Sequence, residues 1–586
     1  MHKIKQLQIR NYRSCQDTTI TLENYTPLVG YNNAGKSNIL KCIETLVRGK
    51  GQNGASFFNE NKPLEIIALL EGLDEHSLSH LSSQQVTSLK PYIEDGSLMV
   101  RFFQQKPGTS TKSVEMGIQK PSEQGNGSWV NPNGLPQAIT TLFPEPTFIN
   151  SMEDSAEDVS KFKASNTIGK LIVHLQKEIV ASKADEINSA LNVVGKKLSL
   201  TGSERLNELG DFDLSINEKI EDFFPGLSLN IDIPTPNISD LFKQGTIKVS
   251  ESGIQRQSDF IDMGHGSQRA IQMTLIRHLA ETTKEVDKRG KTNILLIDEP
   301  ELFLHPQAIE LLRSSLKILS AQGYQVVFST HSPYMIEQSD IPTTNIIRKN
   351  NKGTVVTTRL KEALEQTLND NDSQARLLFD TYNLGQILFS DKVLIAEGAT
   401  EKMVLPALFN SVTGKTLGEH KLALVIAEGV NNIPKMIEIL NKMGIATKAL
   451  ADLDFAFTGA IKQNLIDRTD PSIESCLTII ENIQPTHNFK LKDRLPCKCK
   501  DFKASDIYEL MAIESNAAIH INDIRKSMKN HSIWVWSKGA IEPHLCLSTK
   551  TNGEWLQYRQ RLSMERVEDC VADLGEIREF FEWCIN

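Results

Sequence analysis

At 586 residues, 39% of them hydrophobic and 23% charged, the chain is too long for one core and too apolar to be disordered, so two or three domains are expected. A formal net charge of −9 excludes a coat for nucleic acid built on a global positive field, and leaves room only for a local basic patch. No apolar run is long enough to span a membrane, "MHKIKQLQIRNYRS" lacks a secretory apolar core, and the eight cysteines are scattered, so a cytoplasmic protein with no membrane partner is expected.

In chain order, the first chemical signal is "TPLVGYNNAGKSNIL", residues 26–40. Gly30, Gly35, Lys36 and Ser37 fill the pattern G-x-x-x-x-G-K-S. An apolar run, Pro27 to Val29, precedes it, and Ile39, Leu40, Ile43 and Leu46 follow at helical spacing, so a strand, a loop and a helix are predicted. Successive N–H groups over Gly30, Asn32, Asn33, Ala34, Gly35, Lys36, Ser37 and Asn38, backed by a helix N-terminus, suit the phosphates of ATP. Lys36 is expected to reach the terminal phosphates and Ser37 to hold Mg²⁺.

Residues 155–245 carry helix-like periodicity in "IGKLIVHLQKEIV", "ADEINSALNVVGKKL" and "INEKIEDFF". They interrupt the nucleotide motifs, are too few for a long coiled coil, and are read as a helical dimerisation arm. "DMGHGSQRA", residues 262–270, is a Gly-rich turn before an apolar-periodic helix. "NILLIDEPELFLHP", residues 293–306, is an apolar strand ending in Asp298 and Glu299. Two carboxylates at the tip of a buried strand are costly unless a cation or a polarised water meets them. Asp298 is therefore assigned to Mg²⁺ through water and Glu299 to orienting the attacking water. "YQVVFSTHSP" is a further apolar strand, ending in His331, placed to sense the γ-phosphate.

In this order the motifs resemble ABC-type ATPases of the SMC and RecF kind, as does the opening "IKQLQIRNYRSC". The resemblance makes Gly264, Gly266, Ser267 and Gln268 a signature loop that meets nucleotide. Gly264 stands where that group has a serine, so Ser267 or backbone N–H groups take over the contact. The Gln-containing loop of the group is sought near "TFINSMED", residues 147–154. In such ATPases one subunit's signature loop closes on the phosphate loop of another. With one copy of each motif in the chain, a homodimer or higher homo-oligomer is implied. The expected parts are residues 1–154 and 246–375 for the ATPase, with residues 155–245 as its insertion.

Beyond the polar "LEQTLNDNDSQAR" (364–376), strand and helix alternate again, which predicts a parallel α/β sheet over residues 390–586. "DKVLIAEGATEKMVLPALF" ends its strand at Glu397, and "ATKALADLDF" ends its strand at Asp452 and Asp454. Carboxylates converging at one sheet edge repel unless cations separate them, and all-oxygen ligands favour Mg²⁺ or Mn²⁺ over zinc. Glu401, one helical turn after Glu397, either faces the same site or is a solvated first-turn carboxylate. Glu428, in a second "AEG", ranks lower. Cys497 and Cys499 form a close pair with no second pair or histidines at zinc-site spacing.

The Glu … Asp-x-Asp arrangement resembles a TOPRIM domain. The whole chain resembles the OLD (overcoming lysogenization defect) endonucleases, a family that includes the nuclease subunit of the Gabija anti-phage system. That resemblance implies an ATP-regulated, metal-dependent endonuclease acting on double-stranded DNA in phage defence. It leaves a helicase or a retron reverse transcriptase open as partner. It also implies a lysine near the metals, for which Lys538 in "HSIWVWSKGAIEPHL" is chosen, with Glu542 a weaker candidate. A basic insertion at about residues 460–530 holds Lys490, Lys492, Arg494, Lys498, Lys500 and Lys503, then Arg525, Lys526 and Lys529, which are solvated or meet DNA. The alternative function is an ATP-gated DNA clamp or recombination mediator without nuclease activity. The chain shows no evident nucleophilic tyrosine for a topoisomerase and no zinc element for a primase.

Overall fold

The structure, a computed structural model, describes residues 2–125, 128–143, 146–149, 167–235, 248–250, 257–286, 292–367, 381–427, 429–499 and 502–586. The chain divides into two compact units, residues 1–26 with 36–335 and residues 27–35 with 336–586. Among the described residues, no helix is long and apolar enough to cross a membrane.

In the first unit, Lys3–Tyr12 pairs antiparallel with Cys15–Thr21 and with Leu64–Glu71, which continues through Leu98–Gln104 to Glu115–Gln119. The Asn-Tyr-Arg-Ser turn closes the first hairpin, with Arg13 in the left-handed region at φ 48°. A second set, Thr147–Ile149, Asn293–Ile297 and Tyr324–Thr330, is parallel. Parallel strands are covered on both faces, which is why these read as unbroken apolar runs rather than as alternations. Ile297 pairs with Phe328, so residues 298–299 and 329–331 leave the sheet side by side. Helix Lys36–Arg48 buries Ile39, Leu40, Ile43 and Leu46, the periodic set of the sequence. In the arm, the first two helix-like segments are one helix, Thr167–Leu198, followed by Asn207–Glu221. Within the segment proposed to hold the Gln-containing loop, Thr147–Ile149 is a strand and residues 150–154 lie outside the described residues.

The second unit holds a hairpin, Asn345–Asn350 with Gly353–Val356, against which Leu28 and Val29 pair in parallel. It also holds a parallel four-stranded sheet, ordered Leu422–Ile426, Lys392–Ala396, Ala446–Ala451, Ile533–Val535. Side chains alternate across it with period two. Val393 and Ile395 enter one core cluster with Ala449, Ala451, Ile533 and Val535, while Leu394 and Ala396 enter the other with Leu450 and Trp534. Burial on both faces fixes the register, so every strand must end at the edge it does. The basic insertion is partly a folding device. Arg494 is clamped by Glu474 and Glu481, each at 2.7 Å. Arg525, only partly exposed, pairs with Glu576 at 2.8 Å and stacks 4.8 Å from the Trp534 ring, with Lys529 at 4.2 Å from the same ring. Lys490 and Lys492 remain exposed on a hairpin with Leu495–Cys497, and Lys500 lies outside the described residues.

Trp534 also packs 5.2 Å from the ring of Phe580 in the helix Leu574–Ile585, so it joins the sheet, that helix and two cations. Trp534→Ala is expected to cost about 3–5 kcal/mol, measured as a shift in urea midpoint of the transition of this unit.

Candidate functional site

The phosphate loop is built as its motif requires. Gly30 (φ 154°), Asn33 (φ 64°) and Gly35 (φ 107°) take positive φ, and Gly35 hands the chain directly to the helix Lys36–Arg48. A side chain at Gly30 would put its Cβ 2.2 Å from the Ile347 carbonyl oxygen. Asn32 and Asn33 are exposed, Ala34 is buried, and Asn38 donates to the Ser14 hydroxyl at 2.7 Å.

The residues assigned to hydrolysis converge. Ser37 Oγ donates to Asp298 Oδ1 at 2.9 Å, and Ser329 Oγ bonds the same oxygen. A hydroxyl and a carboxylate meeting in this way fit Mg²⁺, which takes such oxygens alongside nucleotide phosphates. His331 Nε2 lies 2.8 Å from Lys36 Nζ and 3.0 Å from Glu299 Oε1. The His331 hydrogen bond holds the Glu299 carboxyl below its ordinary range, so Glu299 is ionised. Burial pulls the Lys36 ammonium down. Glu299 itself sits at φ 49°, a conformation a non-glycine residue keeps only when its surroundings hold it there.

Two residues that hold it were not singled out from the sequence. Arg269, fully buried, donates to the backbone carbonyls of Asp298 and Glu299, each at 3.2 Å. Glu301 accepts from Thr330 Oγ1 and from the His331 amide, each at 2.7 Å. Arg269 stands beside the predicted signature residues. Of these, Gly264 and Ser267 are exposed, and a Cβ at Gly266 would lie 2.7 Å from the Phe303 carbonyl. Gln268 turns inward and donates to the Phe260 carbonyl at 3.2 Å.

In the second unit, Glu397, Asp452 and Asp454 follow adjacent parallel strands, as their sequence position implies. Glu401 is buried, and its carboxylate caps the helix Ala399–Thr413 by accepting from the Gly398 amide at 3.2 Å. Burial, then the charges of Asp454 and Glu401, push Glu397 up to about 7. Burial likewise raises Asp452, Asp454 and Glu401. The ammonium that meets them belongs to Lys550, half-exposed in the loop before the helix Asn552–Met564. Its Nζ lies 3.2 Å from Glu542 Oε1 and 3.6 Å from Asp452 Oδ2. Thr400 Oγ1 also donates to Glu542 Oε1, at 2.8 Å. Neither Lys550 nor Thr400 was signalled by the sequence. Glu428 lies outside the described residues.

Three oxygens here, Glu397 Oε2, Asp452 Oδ1 and Glu542 Oε2, are buried without a hydrogen-bond partner. Orphaned hard oxygens at the ends of parallel strands fit a divalent cation of the Mg²⁺ or Mn²⁺ type. No three of Glu397, Glu401, Asp452, Asp454 and Glu542 bring ligand atoms within 4.8 Å of one another, as His544, Asp573 and Glu576 do. In that second trio the protein engages Glu576 and one nitrogen of His544, while His544 Nδ1 has no hydrogen-bond partner. Glu576 accepts from the Ser537 amide at 3.2 Å and pairs with Arg525. His544 Nε2 accepts from the Lys538 amide at 3.3 Å. Burial and the Lys538 charge hold His544 neutral, down to about 3. Lys538 is thus part of a clasp that fixes the turn carrying Glu542.

Residues 3–336 match the AAA ATPase domain family, and residues 388–454 match the TOPRIM domain of overcoming lysogenization defect-like proteins. Fold and sites together define the class: an ATPase domain fused to a TOPRIM nuclease domain. The chain is 33% identical to Old nuclease of Escherichia phage P2 over 592 residues, covering 99% of each chain. OLD nuclease of Thermus scotoductus is 21% identical, over 77% of this chain and 82% of its own. Endonuclease GajA of Bacillus cereus is 22% identical, over 76% and 73%. The protein belongs to the OLD nuclease family.

Two outcomes follow from the geometry. Glu299→Gln is expected to bind ATP normally and slow its hydrolysis about 10²-fold or more, whereas Lys36→Ala loses binding; titration calorimetry and phosphate release distinguish them. The second concerns pH. Glu397, raised from 4.5 to about 7, stays protonated when folded where the unfolded chain has lost the proton. The folded state then binds more protons, so stability falls as pH rises from about 4.5 to about 7. Mn²⁺ is expected to raise the melting temperature of this unit more at pH 8 than at pH 5, because only ionised carboxylates bind it. An equal shift at both pH values would remove the carboxylates from the metal site.

Proposed function

We propose that this protein is an ATP-regulated, divalent-metal-dependent endonuclease of double-stranded DNA that serves in anti-phage defence. The observation that carries the reading is the set of buried carboxylate oxygens without a hydrogen-bond partner on Glu397, Asp452 and Glu542, with the Lys550 ammonium beside the other oxygens of Asp452 and Glu542. A bound Mg²⁺ or Mn²⁺ would polarise the scissile phosphate and lower the pKa of an attacking water. Glu397, Asp452 and Asp454 would hold it, and Glu401, already fixed as a helix cap, would set the orientation of the Glu397 turn. Lys550 would neutralise charge developing on the phosphate, the role first expected of Lys538. Names of the relatives support the nuclease reading over the clamp.

The ATPase would act as a gate through self-association. Supporting this, the arm exposes Phe212, Leu214, Phe223, Phe224 and Leu227, a run of large apolar side chains with the character of an interface to a second copy. Lys490 and Lys492, exposed on the insertion hairpin, are cations that could meet a phosphate backbone.

The test is nicking of supercoiled plasmid with Mg²⁺ or Mn²⁺, with and without ATP. Glu397→Ala, Asp452→Ala and Lys550→Ala are each expected to lose about 10²-fold or more in cleavage while ATP hydrolysis persists, and Lys538→Ala to lose less. Wild-type levels of cleavage by Glu397→Ala would place the nuclease centre elsewhere. A wild-type protein that binds DNA and cuts none under any of these conditions would support the clamp.

A further inference from the structure

The phosphate loop carries one aromatic side chain, Tyr31. The ring of Tyr31 meets two cations, with the Arg348 guanidinium 5.0 Å and the Lys421 ammonium 4.4 Å from its centroid. Both cations also face Asp391, Arg348 Nε at 3.7 Å and Lys421 Nζ at 3.2 Å. Burial and the charge of Asp391 push the Tyr31 hydroxyl up to about 12, so the ring meets these cations as a neutral phenol.

The anchor residues start the strands of the nuclease sheet. Asp391 immediately precedes Lys392–Ala396, the strand that ends at Glu397. Lys421 immediately precedes its neighbour, Leu422–Ile426. Arg348 binds the carbonyl of Ser390, and the amides of Asp391 and Lys392 donate to the Lys421 carbonyl at 3.1 and 3.2 Å. The two strand starts and the tyrosine are therefore one knot. On its other side the loop is equally confined, because the Ile347 carbonyl fills the space over Gly30 and Thr354 Oγ1 donates to the Ala34 carbonyl at 2.9 Å. A backbone pinned on both sides of Tyr31 cannot adjust around phosphates without moving the ring. A five-residue strand buried in a close-packed sheet passes a displacement at its start to its end.

We propose that Tyr31 is a positioning residue that couples occupancy of the phosphate loop to the placement of Glu397, through Arg348, Asp391 and Lys421. The regulatory consequence rests on the nuclease reading given above, but the coupling is a property of the fold and is measurable without cleavage. The route differs from closure of a second subunit, because every residue in it lies in one chain.

Hydrogen exchange of amides 391–397 is measured in the full-length protein with and without saturating ATP, for wild type, Tyr31→Phe, Tyr31→Leu and Lys421→Ala. Plasmid nicking is measured in parallel. Wild type is expected to show a nucleotide-dependent change in exchange of at least threefold. Tyr31→Phe, which keeps the ring face, retains it, and Tyr31→Leu, which keeps the bulk alone, loses it. Lys421→Ala lies outside the loop, so it keeps ATP binding and still loses most of the response in both exchange and cleavage. Exchange at 391–397 indifferent to ATP in wild type overturns the coupling, as does a full response in Lys421→Ala and Tyr31→Leu with ATP bound. A wild type that shows the exchange response and cuts no DNA supports the coupling and sinks the nuclease reading. One that cuts DNA without the exchange response does the reverse.

Discussion

Carboxylates at the ends of buried parallel strands are the constraint on which both sites depend. A strand covered on two faces brings its terminal residue out of water before the chain reaches the surface, and a charge left there needs a partner. At the Asp298–Glu299 tip the partners are the hydroxyls of Ser37 and Ser329, the imidazole of His331 and the backbone grip of Arg269. At the Glu397 and Asp452 tips they are fewer, and some oxygens have none. The difference is informative. The first edge is finished by the protein, so it awaits only nucleotide and its ion, whereas the second keeps an unmet demand for positive charge.

That demand explains why burial raises the carboxyls of the second unit while Glu299 is held low. Glu299 has a dedicated donor. Glu397 has neighbours of its own sign and one shared ammonium. On the proposed metal reading, protons and hard cations would compete for these oxygens near neutrality.

Much of this was legible in the sequence, for a physical reason. The phosphate loop and the strand tips are local features, in which an apolar run followed at once by Gly, Asp or Glu carries its own meaning. The residues that complete the sites come from far along the chain and lack such a context. Lys550 sits in "LSTKT", a polar loop indistinguishable from any solvated turn, and only the fold brings it to Asp452. Lys538 is conspicuous because it follows an aromatic strand directly, and its amide also serves the His544 clasp, which no sequence pattern shows. Arg525 reads in the sequence as part of a basic patch, whereas the fold pairs it with Glu576 and stacks it on Trp534. Arg269 and Glu301 act on backbone groups and strand tips, and no spacing rule announces such contacts.

If the carboxylates of the second unit hold a metal as proposed, the Lys550 ammonium bears on how they fare without it. Structural zinc domains unfold when a chelator strips them, because nothing else neutralises their ligands. Here a tethered cation already stands between Asp452 and Glu542, and buried carboxyls can take up protons in place of metal. On the metal reading proposed above, the cradle is expected to persist through chelation and to reload when metal returns, so that metal depletion would silence the protein reversibly rather than unfold it.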